Sequence, residues 1–175
     1  SGPHLSVSIG YLRLILDYLD DVDIRMYRIS SDFAPYSTHP DMPQFHGQIE
    51  ECAEELTAVG ETASNYGIRL SFHPSQYVVL NSPDETVAAK AVEDFGAQAK
   101  MLDMMGQGPE AVVVTHVGGV YDDKSAAMRR FAERYDRMPE HAKRRLVLEN
   151  DESLFCISDV LEISRMTGIR VVFDY

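Results

Sequence analysis

Four polar side chains stand where short apolar runs give out, and all four are metal-ligand types. His73 closes Ser71-Phe72-His73, His116 closes Thr115-His116, Glu149 closes Leu148-Glu149, and Asp174 follows Val171-Val172-Phe173. Neutral imidazole and carboxylate are what Zn²⁺, Mn²⁺ or Fe²⁺ accept, and more than one carboxylate allows more than one metal. One histidine after a strand is ordinarily a satisfied core residue. Four successive runs each ending in a ligand type predict a metal site. An earlier run leads into Ser30-Ser31-Asp32 and then Ser37-Thr38-His39-Pro40, where Ser and Asp are equally ordinary helix caps. His4, His46 and His141 lack such a setting and read as surface residues. Gly118-Gly119 either lets a phosphate or substrate approach the backbone or simply makes a turn.

These positions need a scaffold that brings strand ends to one rim. β-Branched runs at 24–29, 68–72, 111–115, 146–148 and 169–173 alternate with amphipathic stretches. Strings such as Val112-Val113-Val114 and Val171-Val172-Phe173 suit strands buried on both faces of a parallel sheet. Helical spacing links Leu12, Ile15, Leu16 and Leu19. It links Ile49, Cys52, Ala53, Leu56, Val59 and Ala63, then Ala88, Ala91, Val92, Phe95, Ala99 and Leu102. It links Ala127, Met128, Phe131 and Tyr135, and finally Leu154, Ile157, Val160 and Leu161. Ser82-Pro83-Asp84-Glu85 matches a capping box with proline at the first helical position. Gly67 and Gly168 stand where left-handed helix ends are expected.

The order α-β-α-β-α-β-α-β-α-β implies an α/β fold with right-handed parallel crossovers. Neither dinucleotide nor phosphate-loop fingerprint is present. Five strands cannot close a (β/α)8 barrel, so the expectation is a partial barrel missing its first and last strands, over residues 5–175. Residues 1–4 read as a cloning scar or a disordered end, with no secretory signal.

The 175 residues fit a single domain. Their 45% hydrophobic and 25% charged composition is that of an ordinary globular chain. No apolar run approaches the ~20 residues of a membrane span. Two widely spaced cysteines, Cys52 and Cys156, point to a reducing compartment and a cytoplasmic protein. The net charge of −12 argues against a protein held on nucleic acid by charge alone. Between Lys124 and Arg145, eight basic and three acidic residues make a +5 segment, leaving −17 elsewhere. Such a segment is expected to be a solvated helix face, with a phosphate-binding face as the alternative.

Several strings, taken together, resemble a known family. They are Tyr27-Arg28-Ile29-Ser30-Ser31-Asp32, Ser37-Thr38-His39-Pro40, His73-Pro74-Ser75-Gln76-Tyr77-Val78-Val79-Leu80-Asn81-Ser82-Pro83, Thr115-His116-Val117-Gly118-Gly119 and Leu148-Glu149-Asn150-Asp151. In order and rough spacing they are similar to the UV-damage endonuclease family, over about residues 12–175. That family is a metal-dependent (β/α)8 barrel related to the endonuclease IV type of apurinic endonuclease. It nicks DNA immediately 5′ of UV photoproducts and some other lesions.

The resemblance implies that His73, His116, Glu149 and Asp174 are metal ligands. Glu149 and His39 would be the catalytic pair, with His39 assisting metal or phosphate binding. Gln76 and Tyr77 would probe the duplex at the lesion; without the resemblance they read as an ordinary polar loop. It implies a cluster of up to three divalent ions in the complete enzyme, Mn²⁺ foremost, with Zn²⁺, Mg²⁺ or Co²⁺ as alternatives. The partner would be damaged double-stranded DNA, with no membrane involved. Asp174 would open a D-x-x-H pair whose histidine lies beyond Tyr175, so a fragment of this kind would be weak or inactive. Its sheet edges, 24–29 and 169–173, would invite self-association.

Two other readings stay open. A metal-dependent sugar isomerase or epimerase of the xylose isomerase-like barrel type uses a similar rim of His, Glu and Asp. Such an enzyme would also use a rim Lys or His as proton shuttle, and no Lys occurs at a strand end. The other reading is a folded but inert shortened chain.

Overall fold

The computed structural model describes residues 4–174; Ser1-Gly2-Pro3, most of the stretch read as a scar, lies outside the described residues. The chain divides into two compact units. One comprises the chain up to His73 with Ala97–Val112, and the other comprises Pro74–Gly96 with the chain from Val113 on.

The first unit opens with α1 (Leu5–Asp21). Nδ1 of His4 caps it by accepting from the Ser6 amide. Leu5, Ile9, Leu12, Leu16 and Leu19 recur at helical spacing and are all buried. Strand β1 (Met26–Ile29) follows, then a long loop with a 3-10 turn at Pro43–Phe45. Next come α2 (Gln48–Glu51), α3 (Ala53–Asn65) and β2 (Arg69–Phe72). The stripe from Ile49 to Ala63 was expected to be one helix. It is interrupted at Cys52, yet Cys52 still donates to Gln48 O and Leu56 to Cys52 O, so the break is a local kink.

Strands β1 and β2 pair in parallel, from Met26↔Arg69 to Ile29↔Phe72. Helices α1 and α3 pack together. Gly60 of α3 is required there, because a Cβ would fall 1.9 Å from the Met105 carbonyl oxygen. Buried Gln48 ties two backbones: its Oε1 accepts from Leu5 N at 2.8 Å and its Nε2 donates to Pro35 O at 2.6 Å.

Helix α4 (Glu85–Met104) gives its first part to the second unit and its last turns to the first. Its cap differs from the expected one. Asp84 Oδ1 accepts from the Thr86 and Val87 amides, while Ser82 Oγ accepts only from Asp84 N, so the helix starts at Glu85. The second unit continues with β3 (Val113–Thr115), α5 (Lys124–Arg137), α6 (Glu140–Arg145), β4 (Leu146–Glu149), α7 (Ile157–Thr167) and β5 (Arg170–Val172). Strand β4 pairs in parallel with β3, from Val113↔Leu146 to Thr115↔Leu148, and with β5, from Val147↔Arg170 to Glu149↔Val172. Ala127, Met128, Phe131 and Tyr135 are buried as the spacing predicts, and α5 packs on α7. Gly67 and Gly168 have φ of +66° and +75°, the left-handed geometry expected of helix ends.

The fold is thus α/β, with five parallel strands and intervening helices. Among the described residues no helix is long and apolar enough to cross a membrane.

Candidate metal centre

The parallel register places the residues after each strand. In the second unit Thr115 lies opposite Leu148, so one step further His116 falls beside Glu149. Their side chains meet, with His116 Nε2 3.4 Å from Glu149 Oε2. The Glu149 side chain is only 12% exposed and that of His116 is half-buried. A carboxylate drawn this far from water needs positive charge or donors around it. In the first unit Ile29 lies opposite Phe72, so Ser30 and half-buried His73 occupy the corresponding step.

His116 and Glu149, both in the second unit, are residues that could hold a metal ion, and His73 of the first unit is a third residue of ligand type. Two imidazoles and one carboxylate are a donor set that Zn²⁺, Mn²⁺ or Fe²⁺ accepts, so the side chains fit such an ion. Asp174 is exposed and does not join that group. Its backbone is bound to the Asn150 side chain, in the position that continues the β4–β5 ladder.

His39 is exposed in the loop after β1. Its Nδ1 accepts from the Asp41 amide at 3.2 Å, and its carbonyl oxygen lies 2.7 Å from His46 Nε2. When neutral, an imidazole that accepts at Nδ1 carries its proton on Nε2, so the free nitrogen of His39 is a donor. That suits a phosphate oxygen better than a metal. Gln76 and Tyr77 form a turn in open solvent, where Val78 N donates to Ser75 O and Tyr77 is 80% exposed.

Gly118 resolves one of the open alternatives. At φ +111°, a Cβ there would lie 2.3 Å from Asn81 Oδ1 and 2.6 Å from Val79 Cγ1. The glycine therefore makes room for protein atoms, and Asn81 Nδ2 donates to Gly119 O at 2.8 Å. The basic segment also differs from the expected solvated face. Arg129 and Arg137 are exposed, but Arg130 and Arg134 turn inward onto backbone carbonyls, and Arg145 is buried. Sequence reasoning missed Asn81, Asn150, Arg130 and Arg134. Asn81 sits inside the long string after His73 and Asn150 directly follows Glu149, which was the available signal.

Residues 6–175 match the family model described as UV-endonuclease UvdE. The chain belongs to the UV-endonuclease UvdE family. Within it, a UV DNA damage endonuclease of Bacillus velezensis is 35% identical over 160 residues, covering 91% of this chain and 49% of that protein. This UvdE-family chain thus spans about half the length of the curated relatives it matches. The crystal structure of SacUVDE matches with a TM-score of 0.87 at 34% identity, covering 97% of this chain and 57% of that one. A crystal structure of D-psicose 3-epimerase matches with a TM-score of 0.65 at 14% identity, a likeness of fold alone.

Proposed function

We propose that this chain is part of a DNA repair endonuclease that nicks the backbone immediately 5′ of UV photoproducts and related lesions with the help of divalent metal. The observation that carries the reading is the His116–Glu149 pair, 3.4 Å apart at adjacent strand ends in a chain of the UvdE family.

In this reading His73, His116 and Glu149 would hold the metal, Mn²⁺ foremost, and Asp174 would join them. When bound, such an ion makes water a stronger nucleophile at neutral pH and stabilises charge developing on phosphate oxygens. Glu149 would supply a carboxylate oxygen and the negative charge that holds the cation. The Nε2–H of His39 donates to a phosphate oxygen of the substrate. Tyr77 and Gln76 enter the duplex where stacking is already weakened, since a damaged step costs less to open. The substrate is damaged double-stranded DNA and the compartment is the cytoplasm. Among the described residues no strand ends on a lysine, which favours this reading over the epimerase alternative.

The test is nicking of UV-irradiated supercoiled plasmid with Mn²⁺, run beside elemental analysis of the protein. Cuts immediately 5′ of photoproducts support the reading. Epimerisation of a ketose with no nicking would replace it with the sugar enzyme.

A further inference from the structure

We propose that Arg134 and Arg130 of α5 are positioning residues for the Gln76–Tyr77 turn. The inference rests on the reading that this turn probes the duplex.

Between His73 and Glu85 the chain forms neither helix nor strand. Its backbone polar groups need partners from elsewhere. Three consecutive carbonyls, of Leu80, Asn81 and Ser82, find them on one helix. Arg134 Nη1 donates to Leu80 O at 2.8 Å and also to Ser82 O, while its Nη2 donates to Glu85 Oε1 at 2.6 Å. Arg130 Nε donates to Asn81 O at 3.0 Å. A spacing of four residues puts both guanidiniums on one face of α5. The Arg134 side chain is only 12% exposed. A guanidinium is tolerated there because its fixed fork of donors matches the carbonyls and carboxylate around it, which a lysine ammonium would not.

The same three residues are held from the other side. Asn81 Nδ2 donates to Gly119 O, and Gly118 leaves no space beside Asn81 and Val79. Leu80 is fully buried. Three residues upstream, Tyr77 stands in solvent. An exposed aromatic side chain can probe stacked bases only if its backbone is held firm while it presses. Residues 80–82 are where this backbone is held, and the helix that holds them packs on α7. A merely structural brace for the start of α4 would give the same contacts without controlling the turn, and experiment separates the two.

The experiment compares this chain with Arg134→Gln, Arg134→Lys and Tyr77→Ala. Amide hydrogen exchange is followed over residues 75–82 and in α3. Affinity is measured for one duplex with and without a UV photoproduct. Losing charge-assisted hydrogen bonds should speed exchange at 76–81 by about tenfold or more in Arg134→Gln, with α3 unchanged and Arg134→Lys intermediate. The preference for damaged over intact duplex should fall about as far as in Tyr77→Ala. Unchanged exchange at 76–81, or faster exchange throughout the chain, overturns the inference. Faster local exchange with the preference intact makes the arginines a structural brace and also overturns it. If Tyr77→Ala keeps the preference, the probing reading fails, and the exchange data still decide whether the arginines hold the turn. Should Arg134→Gln not fold, Arg130→Gln carries the same readouts.

Discussion

The side-chain amide of Asn150 binds both backbone polar groups of Asp174. Nδ2 donates to the Asp174 carbonyl at 2.8 Å, and Oδ1 accepts from its N–H at 3.0 Å. The ladder of β4 and β5 ends at Glu149↔Val172, so the amide stands in for a further rung. A ligand candidate just past a strand end would otherwise fray with the terminus of the ladder.

Asn150→Ala should therefore loosen Asp174 while leaving Glu149 in place. Two hydrogen bonds with an exposed partner are worth about 1 kcal/mol in all. Amide exchange at Asp174 should quicken, with the β3–β4 amides unaffected. Protection retained at Asp174 would show that the rung is redundant.

Glu149→Gln should abolish nicking in the complete enzyme with little loss of fold. The substitution keeps the shape and removes the charge beside His116. Plasmid nicking, circular dichroism and bound metal should be measured together. Activity retained at unchanged metal content would sink the ligand assignment.

Gly118→Ala should destabilise the second unit by about 2 kcal/mol or more, since it adds both a clash and a strained backbone. The clash is with Asn81 Oδ1 and the strain follows from φ of +111°. Thermal melts of the variant and of Gly118→Ala/Asn81→Ala test this. If Gly118 is there to admit a ligand, the single variant will melt normally.

Asp159 at the start of α7 should contribute to acid sensitivity. Burial works to raise its carboxyl, but hydrogen bonds from the Lys124 ammonium and from the thiol and amide of Cys156 outweigh this and hold it below its ordinary value. A group depressed in the folded state contributes stability above its unfolded pKa, about 4 for Asp, and loses it as pH falls through the folded value. Asp159→Asn should flatten the acid limb of the stability curve and lower stability near pH 7 by about 1 kcal/mol, the usual worth of a helix cap. An unchanged acid limb in urea melts at successive pH values would remove Asp159 from the account.

Self-association through the strand edges is the last expectation. Ile24 just before β1, Met26 within it and Phe173 just after β5 are exposed apolar side chains at these strands. Light scattering on a sizing column should show species larger than one chain. A monomer at high concentration would mean that charge on these edges suffices to keep chains apart.

The strands and most helices were legible because their residues carry their own signal. β-Branched runs marked all five strands to within two residues at each end, and the stripes of α1, α4 and α5 matched what is buried except for half-buried Ile15 and Val92. Several misses share a cause, which is a local pattern overruled by a partner distant in sequence or by side chain–backbone bonding. Leu154 fell outside the final helix because Asp151 accepts from the amides of Ser153, Leu154 and Phe155 and makes a turn of them. The cap of α7 is Cys156, a residue type that seldom suggests a capping box. Six-residue α6 is too short to show a period. The basic run read as solvated because nothing local shows that Arg130 and Arg134 face carbonyls about fifty positions away. At the site, histidine and carboxylate at strand ends were legible from residue type, whereas Asn150 and Asn81 act through backbone that only the folded chain brings near.

The stepwise register of β3 and β4 makes the site more sensitive to length than to composition. One residue inserted within Leu146–Leu148 would swing Glu149 to the opposite face of its strand, away from His116, even with every ligand retained. The same insertion at Met138-Pro139, in the turn between α5 and α6, would be absorbed by irregular backbone. The turn at Met138-Pro139 can therefore lengthen, while the three-pair ladder between β3 and β4 fixes how many residues separate Arg145 from Glu149.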